Sequence, residues 1–177
     1  MTERILLSRK RQIGKMKLLI LMRHGKSSWE DCNLDDYDRP LNERGRRNAA
    51  DMGAFLLGKT GIPDLVLSSP AKRAFTTAVV ATEVMGYPKE KIVTDKELYL
   101  AWIDDILRSI SKVPDTIGSC LVVGHNPGLT YLINHFGIRL DNLPTASTAC
   151  FTFEVQRWKE ITPDKARFQW LKQAKEI

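Results

Sequence analysis

The sequence predicts an α/β layer fold with a mostly parallel sheet and a C-terminal antiparallel pair. Three observations predict it. Leu18–Met22, Leu65–Leu67 and Leu121–Val123 are short, continuously apolar runs, as expected of strands buried on both faces. Each leads through a short loop into a helical stretch, the alternation that builds parallel sheets. Near the C-terminus, Cys150–Val155 and Arg167–Leu171 alternate apolar with polar residues, the period of antiparallel strands.

The elements follow in order. Leu18–Met22 is the first strand. Residues 42–58 read as a helix, with Asn42 as N-cap and Gly58 near its end. After the Leu65–Leu67 strand, Ser69 reads as a cap and Pro70 as the first helical residue of a helix running to about Met85, before Gly86. A short strand at Ile92–Thr94 precedes a helix from about Ile103 to Val113. The Leu121–Val123 strand enters Gly124-His125-Asn126-Pro127-Gly128 and a helix through His135.

At 177 residues the chain has the length of one domain and can bury roughly 70% of its unfolded surface without disulfides or metal. Its 43% hydrophobic and 27% charged residues exclude a disordered chain, a collagen-like chain and a cysteine scaffold. Cys32, Cys120 and Cys150 form no CxxC pair and fit packing or surface positions in a reducing compartment. Without a clustered ligand set or a GxGxxG after a strand, no metal, dinucleotide or other cofactor is expected.

The net charge of +6 is unevenly spread. Residues 1–17 hold six basic residues against Glu3, whereas the other 160 residues carry 21 basic and 20 acidic groups. Residues 1–15 therefore read as a basic N-terminal extension, with residues 16–177 as the domain. The extension suits a solvated arm; a targeting segment and an upstream start are the alternatives. A nucleic-acid groove would place its basic face on the domain itself, so neither nucleic acid nor membrane is an expected partner. A cytoplasmic location is expected, with organelle import through the extension as the alternative.

Parallel sheets bind ligands beyond the carboxyl ends of their strands. The residues that follow the three apolar strands are Arg23-His24-Gly25, Ser68-Ser69-Pro70-Ala71-Lys72-Arg73 and Gly124-His125-Asn126. One sheet edge would thus gather two histidines and two arginines. Arginine forks match phosphate oxygens, and neutral imidazole is a good nucleophile toward phosphorus. The constellation points to phosphoryl transfer, which asks mainly for positioning and charge stabilisation.

Four ordered blocks carry a resemblance. They are Arg23-His24-Gly25-Lys26-Ser27-Ser28-Trp29; Asp38 to Gly45; Ser68 to Ala74 with Thr77-Ala78; and Val123 to Gly128. From about Met16 onward the chain resembles the histidine phosphatase superfamily, in its phosphoglycerate-mutase-like branch, and within it the SixA-type phosphohistidine phosphatases. The resemblance implies a three-layer sandwich of phosphoglycerate-mutase-like fold. It implies His24 as nucleophile, Arg23 and Arg73 as phosphate clamp, His125 as a further donor and Ser27 near the phosphate. Many relatives carry Asn where this chain has Glu30. Their glutamate acid is also missing: Glu97-Leu98-Tyr99-Leu100 puts Leu100 in its place. By resemblance to SixA-type chains, Asp36 is the favoured general acid, with Asp38 next.

An acid-poor site suits the labile P–N bond better than a phosphate ester, whose alkoxide leaving group needs a strong proton donor. The expected enzyme is a metal-independent phosphatase acting on a protein phosphohistidine, such as that of a phosphotransfer domain, through a covalent phosphohistidine intermediate. A phosphomonoesterase on a small metabolite and a catalytically silent phosphate-binding module are the alternatives; oligomeric state stays open, with a monomer as the default. No long insertion separates Arg73 from Gly124, so a shallow, unlidded site is expected. His135 is expected to be structural, Arg44, Arg46 and Arg47 to form a solvated helix face, and Trp29 to be a packing anchor.

Overall fold

The computed structural model describes residues 16–177. The basic extension at residues 1–15 lies outside the described residues. Six strands form one sheet in the order β3-β2-β4-β1-β5-β6: β1 (Lys17–Arg23), β2 (Leu65–Ser68), β3 (Val93–Thr94), β4 (Ser119–Gly124), β5 (Thr148–Phe153) and β6 (Ala166–Lys172). The pairs β1–β4, β2–β4 and β2–β3 are parallel, whereas β5 runs antiparallel to both β1 and β6. The antiparallel pair therefore extends the parallel sheet directly from β1.

Among the described residues four α-helices cover the two faces: α1 (Glu43–Thr60), α2 (Lys72–Val84), α3 (Ile103–Ser111) and α4 (Gly128–His135). Alternation along β1 divides the core. Ile20 and Met22 pack with Met52 and Leu56 of α1 and with Ala74, Ala78 and Ala81 of α2. Leu19 and Leu21 pack on the opposite face with Ile106 and Ile110 of α3 and Leu129, Leu132 and Ile133 of α4. The result is the expected three-layer sandwich, its middle strands buried on both sides as their unbroken apolar runs require. Cys120 and Cys150 are buried in it and Cys32 is exposed. No helix among the described residues is long and apolar enough to cross a membrane.

Two helix boundaries depart from the sequence reading. Helix α1 starts at the expected Asn42 cap, whose side chain accepts from the Gly45 N–H, but passes Gly58 and ends at Gly61, whose φ of 77° stops it. Helix α2 starts at Lys72 with Ala71 as N-cap, three residues after Ser69. The Ser69 hydroxyl is otherwise engaged, bonded to the Ala71 N–H and to His125.

Candidate active site

Strand register explains why two histidines a hundred positions apart become neighbours. Arg23 pairs with Gly124 across the parallel β1–β4 ladder, so the next residues, His24 and His125, emerge side by side. The His24 N–H donates to the Gly124 carbonyl (3.0 Å), and the Ser69 N–H donates to the Val123 carbonyl (2.9 Å). From this edge β1 leads to α1 on one face while β4 leads to α4 on the other. The opening lies at that divergence, as in other doubly wound sheets.

Close backbone packing fixes the turn after His24. A Cβ on Gly25 would lie 2.7 Å from the Gly45 carbonyl oxygen, and one on Gly45 would lie 2.1 Å from that of Lys26. Both glycines are required because the loop rests directly on the first turn of α1. Thr77 completes the brace. Its hydroxyl accepts from the Gly25 N–H (2.9 Å) and donates to the Arg73 carbonyl one turn earlier (2.7 Å).

The two imidazoles stand with ring centroids 5.1 Å apart, tilted by 55°. His24 Nδ1 lies 2.7 Å from the Gly25 carbonyl, which only accepts, so Nδ1 carries the proton and Nε2 presents its lone pair. Arg73 Nε donates to that Nε2 at 3.3 Å. Burial pushes the His24 pKa down to about 4, assisted by the charges of Arg73, Arg23 and Arg39 and opposed by the Gly25 hydrogen bond. His125 is lowered to about 3 by burial, and then by His24 and Arg73. Both rings are neutral at pH 7. Two buried nitrogens, Arg23 Nε and His125 Nδ1, have no hydrogen-bond partner among the described residues. Unpaired polar groups in such positions favour an incoming anion.

Asp36 closes the site from the long loop after β1. Its carboxylate takes Arg73 Nη2 (2.9 Å), Arg39 Nη1 (3.0 Å) and the Tyr99 hydroxyl (2.8 Å), and its backbone carbonyl accepts from Arg73 Nη1. Burial alone would raise its pKa; the hydrogen bonds from Tyr99, Arg73 and Arg39 and the Arg73 charge outweigh that and hold it at about 2. At pH 7 Asp36 is therefore held as a carboxylate.

The site thus joins His24 to His125 and to Arg73, and Arg73 to Asp36, with Arg23 next to His24 in the chain. The Arg23 Nη1 is anchored on the Leu143 carbonyl (2.8 Å). Ser27 is buried, but its hydroxyl accepts from Arg39 Nη2 and makes no hydrogen bond to His24 or the clamp arginines. Asp38 enters no ion pair among the described residues. Trp29 is no packing anchor: it is exposed, with its ring over the Arg39 guanidinium. Sequence reasoning gave no role in the site to Arg39, Tyr99, Ser69 or Thr77, and read Ser69 as a helix cap. Only Thr77 carried a local signal, one helical turn from Arg73 and so on the same face.

A family model, Histidine phosphatase superfamily (branch 1), matches residues 19–99. A chloroplastic protein of Arabidopsis thaliana is 31% identical over 151 residues, covering 80% of this chain and 69% of its own length. Among solved structures, a candidate phosphohistidine phosphatase SixA from Agrobacterium tumefaciens superposes with a TM-score of 0.73 at 26% identity, over 88% of this chain and 97% of its own. The protein histidine phosphatase SixA complexed with tungstate shares the fold, with a TM-score of 0.77 at 21% identity over 90% of this chain and 98% of its own.

Proposed function

Since the chain belongs to the histidine phosphatase superfamily, we propose that residues 16–177 form a phosphatase domain that removes phosphate from phosphohistidine on proteins. His24 carries the chemistry. Its Nε2 lone pair is free of a proton, held in line by the Gly25 carbonyl and bordered by the Arg73 guanidinium. In the first step Nε2 attacks phosphorus, and the P–N bond to the substrate imidazole, which has taken a proton from solvent on its other nitrogen, breaks with its electron pair passing to that ring, so that it leaves as neutral imidazole. In the second, water adds to phosphorus, gives up a proton to solvent, and His24 leaves with its bonding pair. Arg23 and Arg73 take the equatorial oxygens through both steps, and His125 supplies a further donor.

Asp36 enters as a positioning residue, holding the Arg73 fork until phosphate arrives. The absence of a resting acid favours a leaving group that needs little protonation, which imidazole is and an alkoxide is not. The likeness to SixA chains supports the same substrate class. A cytoplasmic site of action goes with this reading, and the chloroplastic relative keeps organelle import through residues 1–15 as its alternative.

Incubation with a 32P-phosphohistidine protein, followed by quenching, should trap acid-labile label on the wild-type chain and none on His24→Ala. Turnover of phosphohistidine should exceed that of sugar phosphates by at least tenfold. Equal or faster ester turnover would overturn the substrate assignment, and a chain that binds phosphate without label or turnover is a silent module.

A further inference from the structure

The rim of the site is apolar where the capture of a small anion has no use for it. Trp102 is 61% exposed and stacks on Tyr131, 42% exposed, with ring centroids 5.7 Å apart and planes at 16°. This pair joins the start of α3 to the first turn of α4, just beyond His125. Tyr99 stands edge-on to His125 at 5.5 Å and leads directly into Leu100 and Trp102. Leu100 is 53% exposed and held at φ 50°, a left-handed conformation that costs a leucine free energy and here gains no burial. On the loop after β1, Trp29 is 72% exposed and lies 3.1 Å from the Arg39 guanidinium, which holds Asp36 at the clamp.

Charge sharpens the picture. Residues 27–38 contain no Lys or Arg, and Glu30, Asp31, Asp35 and Asp38 in that stretch make no ion pair among the described residues. The lip beside Trp29 is therefore acidic around a cationic interior. A small, multiply charged metabolite meets repulsion at this lip. A protein surface gains from both features, since exposed Trp and Tyr supply large contact area at low entropic cost and carboxylates steer basic partners.

We propose that this rim is a docking surface for the folded protein that carries the phosphohistidine, and that the partner presents it from an apolar patch flanked by Lys or Arg. The proposal rests on the protein-phosphohistidine reading above and adds the means of recognition. It is tested with two substrates, a histidine-phosphorylated phosphotransfer domain and N-phosphoimidazole, on wild type, Trp102→Ala, Tyr131→Ala and Asp31→Lys. Each variant should lose at least fivefold in kcat/KM on the phosphorylated domain, mainly through KM, and stay within twofold of wild type on N-phosphoimidazole. Raising the ionic strength should weaken wild type on the domain more than Asp31→Lys. Variants that match wild type on both substrates, or fall equally on both, overturn the docking surface and leave the proposed function standing. A wild-type chain that hydrolyses N-phosphoimidazole and ignores the phosphorylated domain overturns the protein-substrate reading, and the docking surface with it.

Discussion

Each nitrogen of the Arg73 fork holds one partner: Nε bonds His24, and Nη1 and Nη2 bond Asp36, which leaves one further N–H on each Nη. An incoming phosphate uses those two N–H groups, and to take the whole fork it must share or displace Asp36. Asp36 is consequently a competitor as well as a positioning group, because it is an anion at any pH above about 2. Asp36→Asn should tighten vanadate or inorganic phosphate binding by about 3- to 10-fold, the scale of one charge-assisted hydrogen bond gained by the ligand (~1 kcal/mol). Competitive inhibition constants measure this directly; weaker vanadate binding in the variant would mean that Asp36 organises the clamp more than it obstructs it. Arg23, His24, Arg73 and His125 were legible from the segments that follow the strands, because parallel sheets place strand ends on one edge. Tyr99 and Arg39 were not, since each reaches Asp36 through loop geometry that no local period encodes.

At the level of elements, the loop after β1 and the first turn of α1 act as one unit through the Gly25–Gly45 contact. Alanine in a free helix is favoured over glycine by about 1 kcal/mol. At Gly45 that gain is outweighed, because the new methyl would lie 2.1 Å from the Lys26 carbonyl oxygen and the backbone has to move. Gly45→Ala should destabilise the fold by roughly 1–3 kcal/mol, in the range of core overpacking, and lower kcat at least tenfold by shifting His24. Urea unfolding and single-turnover rates check the two effects; a more stable, fully active variant would dismiss the contact. The helix cap at Asn42 was readable because its signal is local. The start of α2 was misread at Ser69-Pro70: the Ser69 hydroxyl accepts from the Ala71 N–H as a cap would, but it also meets His125, a partner 56 positions distant, and the helix begins only after Ala71. The antiparallel pair was placed correctly as a pair, but its junction with β1 depends on a long-range choice of partner.

For the whole molecule, the buried imidazoles couple folding to acidity. The folded chain leaves His24 and His125 unprotonated down to about 4 and 3, while the unfolded chain takes up protons below the ordinary value of 6.5. The unfolded state then binds more protons, so stability falls as pH drops from 6.5 toward 4, by up to roughly 1.4 kcal/mol per pH unit for each ring. Asp36 does not oppose this, since its depressed pKa contributes stability above the ordinary carboxylate value of 3.8 and loses it only toward 2. Urea midpoints at pH 7.5, 6 and 5 should decline for the wild type and much less for the His24→Gln/His125→Gln double variant. Equal slopes for the two would place the acid sensitivity elsewhere.

The pairing of Arg23 with Gly124 has one more consequence. Because side chains alternate faces, a single-residue slip of β1 against β4 would swap the residues of one strand between the two packed faces, misfit both apolar layers and offset the two imidazoles along the sheet edge. Hydrolysis by this chain is thus a proofreading signal for its own assembly. A misthreaded molecule with native helix content stays silent, and turnover returns only when the two central strands have found their proper alignment.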